Sequence, residues 1–244
     1  MKVALIDADS IAYICSKDSL EESLTRVDSI VGEMMLETGS TEYLMFLSKS
    51  PYFRHQICKE YKAKRPPKTL LFIKDIYKYL EEVFGAKAFD GVEADDMVAF
   101  GANMYRKANI PFVVCSNDKD VTKQVPGEHF NYRTFNKCTT KDTDALSFLF
   151  IQTLMGDSTD NIKGIPGIGE VKAKKILEGK DTMPELSSAT MEAYANYYSK
   201  AGEAVEEYQK NFKQVYLLRQ ESDFLREVGY VPKLDEPREF IEKK

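Results

Sequence analysis

The feature that most constrains the fold of this 244-residue chain is the recurrence of acidic residues after short apolar segments. Residues 2–6 (Lys-Val-Ala-Leu-Ile) are typical of a buried strand, and this strand ends at Asp7. Residues 111–115 (Pro-Phe-Val-Val-Cys) are typical of a second strand, which Asp118 and Asp120 follow closely. Parallel α/β sheets bind ligands beyond the carboxyl ends of their strands, so these acids are candidates for one shared site. For Asp7 alone, a simple turn residue is the alternative.

A further acidic motif, Gly-Val-Glu-Ala-Asp-Asp-Met at residues 91–97, directly precedes an apolar pattern with helical spacing. Its carboxylates, Glu93, Asp95 and Asp96, fall in the first turn of the predicted helix. There the unpaired backbone N–H groups and the helix dipole favour negative charge. Helix capping therefore explains these acids when they are considered alone.

Carboxylates from four separate parts of the chain would repel one another strongly in a partly dry cleft. Bound divalent cations remove this repulsion, and ligand sets made only of oxygen favour Mg²⁺ or Mn²⁺ over zinc. Two such ions, about 3.5–4 Å apart, suit an in-line displacement at phosphorus. The candidate metal ligands are Asp7, Glu93, Asp95, Asp96, Asp118, Asp120, Asp157 and Asp160, with Asp9 as a candidate additional ligand.

The distribution of charge is compatible with a polyanionic partner, although the net charge of the chain is −5. Nine of the 39 acidic residues are these candidate ligands, so the rest of the chain carries 34 Lys and Arg against 30 acids. A mildly basic body around an acidic focus suits metal ions bound beside a polyanion.

Predicted strands and helices alternate through about residue 130, which indicates a parallel α/β sheet. We predict an α/β fold with a mainly parallel central sheet flanked by helices, followed by an all-helical C-terminal part. The predicted strands are 2–6, 43–47, 111–115, 129–132 and 137–139, and the predicted helices are 20–37, 69–84, about 94–107 and 142–155. The expected division is a metal-binding core at 1–140, a purely helical region at 141–231 and a loosely ordered tail at 232–244.

Composition and the cysteine pattern indicate a globular protein of the cytoplasm. The longest apolar runs are too short for a membrane span, and the first residues become acidic too early for a signal peptide. The four cysteines are scattered without the spacing of a metal site, so we expect reduced thiols. They are Cys15, Cys58, Cys115 and Cys138.

Residues 54–65 mix cationic and aromatic side chains and end before Pro66-Pro67. Aromatic rings stack on bases while cations hold phosphates, so this mixture suits contact with a single strand of nucleic acid. A solvated charged helix is the alternative for such a segment. The candidates for nucleic-acid contact are Arg54, Tyr61 and Lys64.

Residues 164–169 (Gly-Ile-Pro-Gly-Ile-Gly) predict a tight connection between two helices. The N–H groups that open the second helix then offer a phosphate site, and nearby lysines add positive charge. This arrangement resembles the helix–hairpin–helix motif, which binds duplex backbone without reading sequence. An ordinary turn between helices is the alternative. The candidate contacts are Gly164, Gly167, Gly169, Lys172, Lys174 and Lys175.

Six short motifs together resemble the 5′-nuclease family, which contains flap endonucleases, the 5′-nuclease domain of bacterial DNA polymerase I and phage 5′–3′ exonucleases. They occur in the order of the family and span residues 1–180. The motifs are Leu-Ile-Asp-Ala-Asp (5–9), Tyr-Lys-Ala-Lys-Arg (61–65), Gly-Val-Glu-Ala-Asp-Asp (91–96), Ser-Asn-Asp-Lys-Asp (116–120), Met-Gly-Asp-Ser-Thr-Asp-Asn-Ile (155–162) and Gly-Ile-Pro-Gly-Ile-Gly (164–169).

The resemblance implies roles for several residues. The acids would hold two divalent ions, while Lys62 and Arg65 would bind the scissile phosphate and stabilise the charge that develops on it. Tyr61 would stack on the terminal base. The carbonyls of the 164–169 hairpin are a candidate K⁺ site.

One departure from the family concerns the end of the second strand. The family carries an aspartate there, whereas this chain reads Phe46-Leu47-Ser48-Lys49-Ser50, without an acid. Either one metal ion has fewer ligands, or Asp9 compensates. Capping of the helical turn around residues 11–14 is the alternative role of Asp9.

The resemblance implies a metal-dependent 5′–3′ exonuclease or flap endonuclease that hydrolyses DNA near 5′ ends and removes RNA primers or 5′ flaps during replication. The expected partners are such DNA and a replicative polymerase or single-strand-binding protein. A monomer without membrane contact is expected, phage-encoded and acting in the bacterial cytoplasm. The alternatives are a ribonuclease of the PIN fold and a branched-DNA-binding relative without catalysis.

Overall fold

The computed structural model describes residues 1–65 and 70–240, which form two compact units. The first unit contains residues 1–52, 70–140 and 218–240, and the second contains residues 53–65 and 141–217. The predicted start of a helix at residue 69, Pro66-Pro67 and the last four residues of the predicted tail lie outside the described residues.

A mostly parallel sheet forms the centre of the first unit, with the strand order β3-β2-β1-β4-β5-β6. Neighbouring strands from β3 to β5 are parallel, whereas β6 runs antiparallel to β5 and β7 antiparallel to β2. The carboxyl ends of β1 to β5 therefore meet at one edge. The strands are β1 (Val3–Asp7), β2 (Glu42–Lys49), β3 (Lys87–Asp90), β4 (Phe112–Cys115), β5 (Gly127–Phe130), β6 (Lys137–Thr140) and β7 (Arg238–Glu239).

Helices flank this sheet because alternate residues of the buried strands point to opposite faces. Ala4 and Ile6 of β1 pack in a core with apolar residues of α2 and α4, whereas Leu5 lies against Gly101 of α5 on the other face. The helices of this unit are α1 (Ile11–Cys15), α2 (Leu20–Thr38), α4 (Ile73–Glu82), α5 (Ala94–Lys107), α6 (Lys119–Gln124) and α11 (Glu221–Glu227). The predicted α/β class is confirmed.

The second unit is helical and has its own core. Phe150 and Leu154 of α7 pack there with Leu186 of α9. Tyr194 is buried in the same core, and its hydroxyl donates to the Thr153 carbonyl at 2.7 Å. The helices are α3 (Phe53–Ile57), α7 (Asp142–Met155), α8 (Glu170–Ile176), α9 (Met183–Tyr197) and α10 (Ala201–Val215).

The end of the chain corrects two predictions. Instead of being loosely ordered, residues 232–240 pack on the first unit, and β7 pairs with Glu42 and Tyr43 of β2. The Phe240 N–H donates to the Thr41 carbonyl at 2.9 Å, and its ring packs against the core. The expectation of only helices beyond residue 141 is therefore wrong at β7. A two-residue strand carries no periodicity that a sequence could reveal.

The two units also differ from a division of the chain at residue 140. The segment 53–65 groups with the helical unit, although it precedes most of the sheet in sequence, and residues 218–240 group with the sheet. Strand β3 was not predicted, because its four residues are half-buried or exposed and lack the apolar character of the other strands.

None of the helices in the described residues is both long and apolar enough to cross a lipid bilayer.

Candidate functional site

Asp7 lies at the carboxyl end of β1, in the middle of the sheet, and only 4% of its surface is exposed. Its Oδ1 accepts the Asp9 backbone N–H at 3.2 Å, and its Oδ2 accepts the Ser116 hydroxyl at 2.8 Å. Ser116 directly follows β4, the parallel neighbour of β1. The Tyr132 hydroxyl donates to the Asp7 carbonyl at 2.6 Å. Neighbouring parallel strands thus place and orient the Asp7 carboxylate.

The surroundings of Asp7 disfavour its negative charge. Burial, together with the negative charges of Asp9 and Asp118, raises the pKa of this carboxyl to about 7. The hydrogen bond from Ser116 acts in the opposite direction. A buried carboxylate with two acidic neighbours fits a hard divalent cation, which would stabilise the charge that the protein alone does not.

Asp9 is held against the end of β2. Its Oδ1 accepts the Ser48 backbone N–H at 2.9 Å, and its Oδ2 accepts a short hydrogen bond from the Ser48 hydroxyl. The Ser48 oxygen in turn accepts the Ala94 N–H at 2.8 Å. The N-cap of α1 is Ser10, which makes no side-chain cap bond. Asp9 therefore does not occupy the N-cap position that the alternative reading gave it.

Asp118 and Asp120 lie where α6 begins, after β4. Asp118 is the N-cap, and its Oδ1 accepts the Asp120 N–H at 2.7 Å. The Asp118 N–H donates to the Ser116 oxygen at 3.0 Å, which ties this turn to the hydroxyl that holds Asp7. Capping thus accounts for one oxygen of Asp118, and the turn brings the carboxylate towards Asp7.

The acidic turn that opens α5 contains a reciprocal capping box. The Glu93 side chain accepts the backbone N–H of Asp96, and the Asp96 Oδ2 accepts that of Glu93 at 3.3 Å. The Asp96 Oδ1 also accepts the Leu218 N–H at 2.9 Å, and Asp96 is fully buried. Both oxygens of Asp96 thus bind backbone N–H groups and anchor the start of α5, while its role as a metal ligand stays a prediction. Half-buried Asp95 and almost fully buried Glu93 are likewise still candidate ligands.

Asp157 orders the acidic loop of the second unit. Its Oδ1 accepts the N–H groups of Thr159 at 2.7 Å and Asp160 at 3.3 Å, and its backbone pairs with Ile162 in both directions. Gly156 and Gly164 cross closely beside this loop. A Cβ on Gly164, whose φ is +59°, would lie 2.3 Å from the Met155 carbonyl carbon. Glycine is therefore required at residue 164 for the loop to close.

In the same unit, Asp160 contacts both cations that were predicted to bind the scissile phosphate. Arg65 Nε donates to Asp160 Oδ1 at 3.1 Å, and its terminal nitrogen makes a second, shorter bond. Lys62 Nζ lies 3.9 Å from Asp160 Oδ2. The Tyr61 hydroxyl donates to the same oxygen at 3.2 Å. One predicted metal ligand and two predicted phosphate-binding cations thus lie together.

Lys62 also has an uncommon backbone conformation. Its φ of +57° is in the left-handed region, which few residues other than glycine adopt. The Lys62 N–H donates to the Asp160 carbonyl at 3.0 Å, and the Lys62 carbonyl accepts the Arg65 N–H at 3.0 Å. Residues held in such conformations cluster at functional sites, which supports a functional role for this turn.

Two residues predicted to contact nucleic acid are buried. Arg54 is 2% exposed and donates to the carbonyls of Gln214 at 2.9 Å and Tyr216 at 2.8 Å, where α10 ends. Tyr61 is 4% exposed, and its ring packs edge-on against His55. Arg54 is therefore a capping residue of α10, and the Tyr61 ring offers no open face to a base. Lys64 is exposed, as its predicted role requires.

The predicted hairpin leads into α8, with Gly169 as its N-cap. Gly167 has a φ of +78° and open space around it. Lys172 Nζ donates to the Gly167 carbonyl at 2.9 Å, so a lysine ammonium contacts one of the carbonyls of the candidate K⁺ site. Lys174 pairs with Glu170 at 2.7 Å, and Lys175 is exposed. An exposed pair of this kind contributes less than about 1 kcal/mol, so Lys174 can exchange it for a phosphate.

The described parts of the chain contain no three acidic, imidazole or thiol side chains arranged as a ready set of metal ligands. The carboxylates at the sheet edge are held by serine hydroxyls and backbone N–H groups. Ser48 and Ser116 were not predicted as site residues, although both directly adjoin the acidic positions in the sheet. Their positions at the carboxyl ends of predicted strands were the sequence signal from which both serines could have been predicted.

Comparison with known protein families shows similarity over more than half of the chain. A family model described as 5′-3′ exonuclease, N-terminal resolvase-like domain matches residues 2–148. The chain is 32% identical over 149 residues to a DNA polymerase I of Pseudomonas aeruginosa, which covers 56% of this chain and 16% of that protein. It is 31% identical over 149 residues to a 5′-3′ exonuclease of Buchnera aphidicola, and this match covers 55% of this chain and 51% of that protein. The chain thus spans about half, or less, of these relatives.

Among solved structures, the fold is similar to one described as divalent metal ions (zinc) bound to T5 5′-exonuclease. The TM-score is 0.70 at 19% identity, with 89% of this chain and 90% of the other covered. A flap endonuclease of the same phage, in a complex with DNA and metal ions, gives a TM-score of 0.69 at 18% identity and the same coverage. At these identities the similarity concerns the fold.

Proposed function

The chain belongs to the 5′-3′ exonuclease family, and on this premise we propose that it is a divalent-metal-dependent nuclease that hydrolyses DNA phosphodiesters near 5′ ends. Its substrates are 5′ flaps and RNA primers that arise during replication. It acts as a monomer in the cytoplasm, alongside a replicative polymerase or a single-strand-binding protein.

The observation that carries this proposal is the environment of Asp7. A nearly fully buried carboxylate at the end of the central strand, with Asp9 and Asp118 as acidic neighbours, is costly unless it binds a cation. A Mg²⁺ or Mn²⁺ ion lowers the pKa of water and neutralises charge on a phosphodiester. The first unit would hold such ions through Asp7, Asp9, Glu93, Asp95, Asp96, Asp118 and Asp120.

Within the second unit, Asp157 and Asp160 keep their predicted role as ligands. Lys62 and Arg65 bind the scissile phosphate and stabilise the charge that develops on its oxygens. Their contacts to Asp160 hold both cations in place before DNA binds, so fewer side-chain rotamers are lost on binding.

The hairpin and α8 bind the backbone of the duplex. The N–H groups after Gly169, together with Lys172, Lys174 and Lys175, offer donors and positive charge to phosphates. Glycines at 164 and 167 allow this connection, and Gly167 leaves open space where a backbone can approach. Lys64 adds an exposed cation, and a K⁺ ion at the hairpin carbonyls would add another.

The test is incubation with Mg²⁺ and a duplex that carries a 5′-labelled flap. Release of short 5′ products that stops with chelator supports the proposal. Cleavage of RNA alone would support a ribonuclease of the PIN fold, and a mobility shift without cleavage would support a DNA-binding relative. Asp7→Asn should abolish cleavage. Asp18→Asn removes the same charge from an exposed residue and is the matched control.

A further inference from the structure

We infer that Ser48 is a positioning residue of the proposed metal site, because its hydroxyl holds the Asp9 carboxylate at the end of β2, where β2 supplies no acid. This inference rests on the proposed function and adds a residue that the motifs do not contain. In this inference, Asp9 follows β1 and places its carboxylate at the end of the neighbouring strand β2.

The sheet register places Ser48 beside Asp9. Asp7 pairs with Phe46 in the parallel ladder, and the Ala8 N–H donates to the Phe46 carbonyl at 2.9 Å. Two residues further along both strands, Asp9 therefore lies opposite Ser48. The Asp9 carboxylate therefore reaches the end of β2, where it accepts both hydrogen bonds from Ser48.

Ser48 connects three elements through one side chain. Its backbone N–H and its hydroxyl both donate to the Asp9 carboxylate, one to each oxygen. The same hydroxyl oxygen accepts the Ala94 N–H, which is the first backbone donor of α5. Asp9 after β1, the end of β2 and the acidic turn before α5 are thus fixed relative to one another. A shift of the Ser48 side chain would disturb its hydrogen bonds to both the Asp9 carboxylate and the Ala94 N–H.

The backbone of Asp9 is anchored independently of its side chain. Its N–H donates to Asp7 Oδ1 at 3.2 Å, and its carbonyl accepts the Tyr77 hydroxyl at 3.2 Å. Because the main chain is held on both sides, Ser48 mainly determines where the carboxylate points. Loss of the serine hydroxyl should therefore affect metal binding through Asp9 without displacing the turn.

The first experiment measures Mn²⁺ affinity by calorimetry, without DNA, and the melting temperature in chelator. Asp9→Asn should weaken Mn²⁺ binding by more than about tenfold, and Ser48→Ala by about tenfold, the low end of the loss typical of residues that orient metal ligands. Ser48→Thr, which keeps a hydroxyl, should restore the affinity of wild-type protein. Asp18→Asn should leave it unchanged.

The second experiment exchanges the two side chains. Asp9→Ser should bind Mn²⁺ as weakly as Asp9→Asn, whereas Asp9→Ser combined with Ser48→Asp returns one acid and one hydroxyl to the same pair of strands. The inference predicts that this double variant recovers most of the lost affinity. A variant that unfolds is recognised by its melting temperature in chelator, and the Asn, Ala and Thr variants then decide.

Several results would overturn the inference. Wild-type Mn²⁺ affinity in Asp9→Asn would show that Asp9 is no ligand, and wild-type affinity in folded Ser48→Ala would show that Ser48 does not position one. If Ser48→Ala lowers the melting temperature in chelator but leaves the Mn²⁺ affinity unchanged, Ser48 only stabilises the fold and does not position a metal ligand. If Asp7→Asn also binds Mn²⁺ normally, the proposed function fails as well. If Asp7→Asn alone loses binding, only this inference fails.

Discussion

Replacement of Asp7 by asparagine should stabilise the metal-free protein at neutral and higher pH while it removes the response to divalent ions. The side chains have nearly the same shape, and one amide oxygen can still accept the Asp9 N–H. The Ser116 hydroxyl can accept a bond from the new amide group. The main change is therefore the loss of a buried negative charge that lies near Asp9 and Asp118.

The pKa of Asp7 sets the size of this effect. Burial and the neighbouring acidic charges raise the pKa from 3.8 to about 7, so the folded protein retains a proton there that the unfolded chain has already lost. The contribution of Asp7 to stability is fully present below pH 3.8 and is lost as the pH rises to about 7. The slope is about 1.4 kcal/mol per pH unit, and the total is at most about 4 kcal/mol. For a chain of this length this corresponds to a rise in Tm of about 8 °C or less in Asp7→Asn.

The assay is thermal unfolding in chelator at several pH values between 4 and 8, for the wild type, Asp7→Asn and the control Asp18→Asn. The difference between the wild type and Asp7→Asn should be near zero at pH 4 and largest at pH 8. With Mn²⁺ added at pH 8, the wild type should gain stability and Asp7→Asn should not. A pH-independent loss of stability in Asp7→Asn would refute this reasoning, because it would show that the charged carboxylate is favourable in the fold.

Three further outcomes follow from individual contacts. Gly164→Ala should lower the free energy of unfolding by about 3 kcal/mol, because its Cβ would collide with backbone. Gly167→Ala has open space around its Cβ and should lower it by about 1 kcal/mol, and a denaturant titration compares the two variants. Arg54→Ala should destabilise the protein by about 3 kcal/mol in the same titration, because it leaves two carbonyls at the end of α10 without their donor. The same variant should leave the salt dependence of DNA binding unchanged. Lys62→Ala should lower kcat on the labelled flap about a hundredfold with little change in affinity, whereas Lys174→Ala should weaken binding and reduce the salt slope by about one; equal losses of affinity in both would contradict these roles.

The order of the central elements was predictable because it depends on local patterns. The apolar run before Asp7 predicts β1, and the helical spacing of apolar residues after Asp96 predicts α5. Both patterns can be recognised without knowledge of the rest of the chain. Strands β3 and β7 escaped prediction, since both are short and β3 is only half-buried. Their existence depends on β2 being available as a partner, which is a property of the assembled sheet.

The basic segment shows where sequence patterns mislead. Arg54 and Lys64 are both cations of the segment 54–65, and composition does not distinguish them. In the structure, Arg54 is enclosed by the end of α10 and caps its carbonyls, whereas Lys64 stays exposed. The difference arises from residues about 160 positions away in sequence.

The sequence by itself determined which chemical groups the protein presents: oxygen ligands at the ends of strands, glycines at a tight connection and cations nearby. These follow from residue type and local spacing. Only the tertiary structure decided which partner each group meets. Asp9 accepts a hydrogen bond from Ser48, 39 residues away, and Asp160 accepts one from Arg65, 95 residues away. Asp96 accepts a backbone N–H that lies 122 residues away in sequence. The physical reason is that hydrogen bonds and charges act over a few ångströms, and the folded chain alone determines which distant residues come that close.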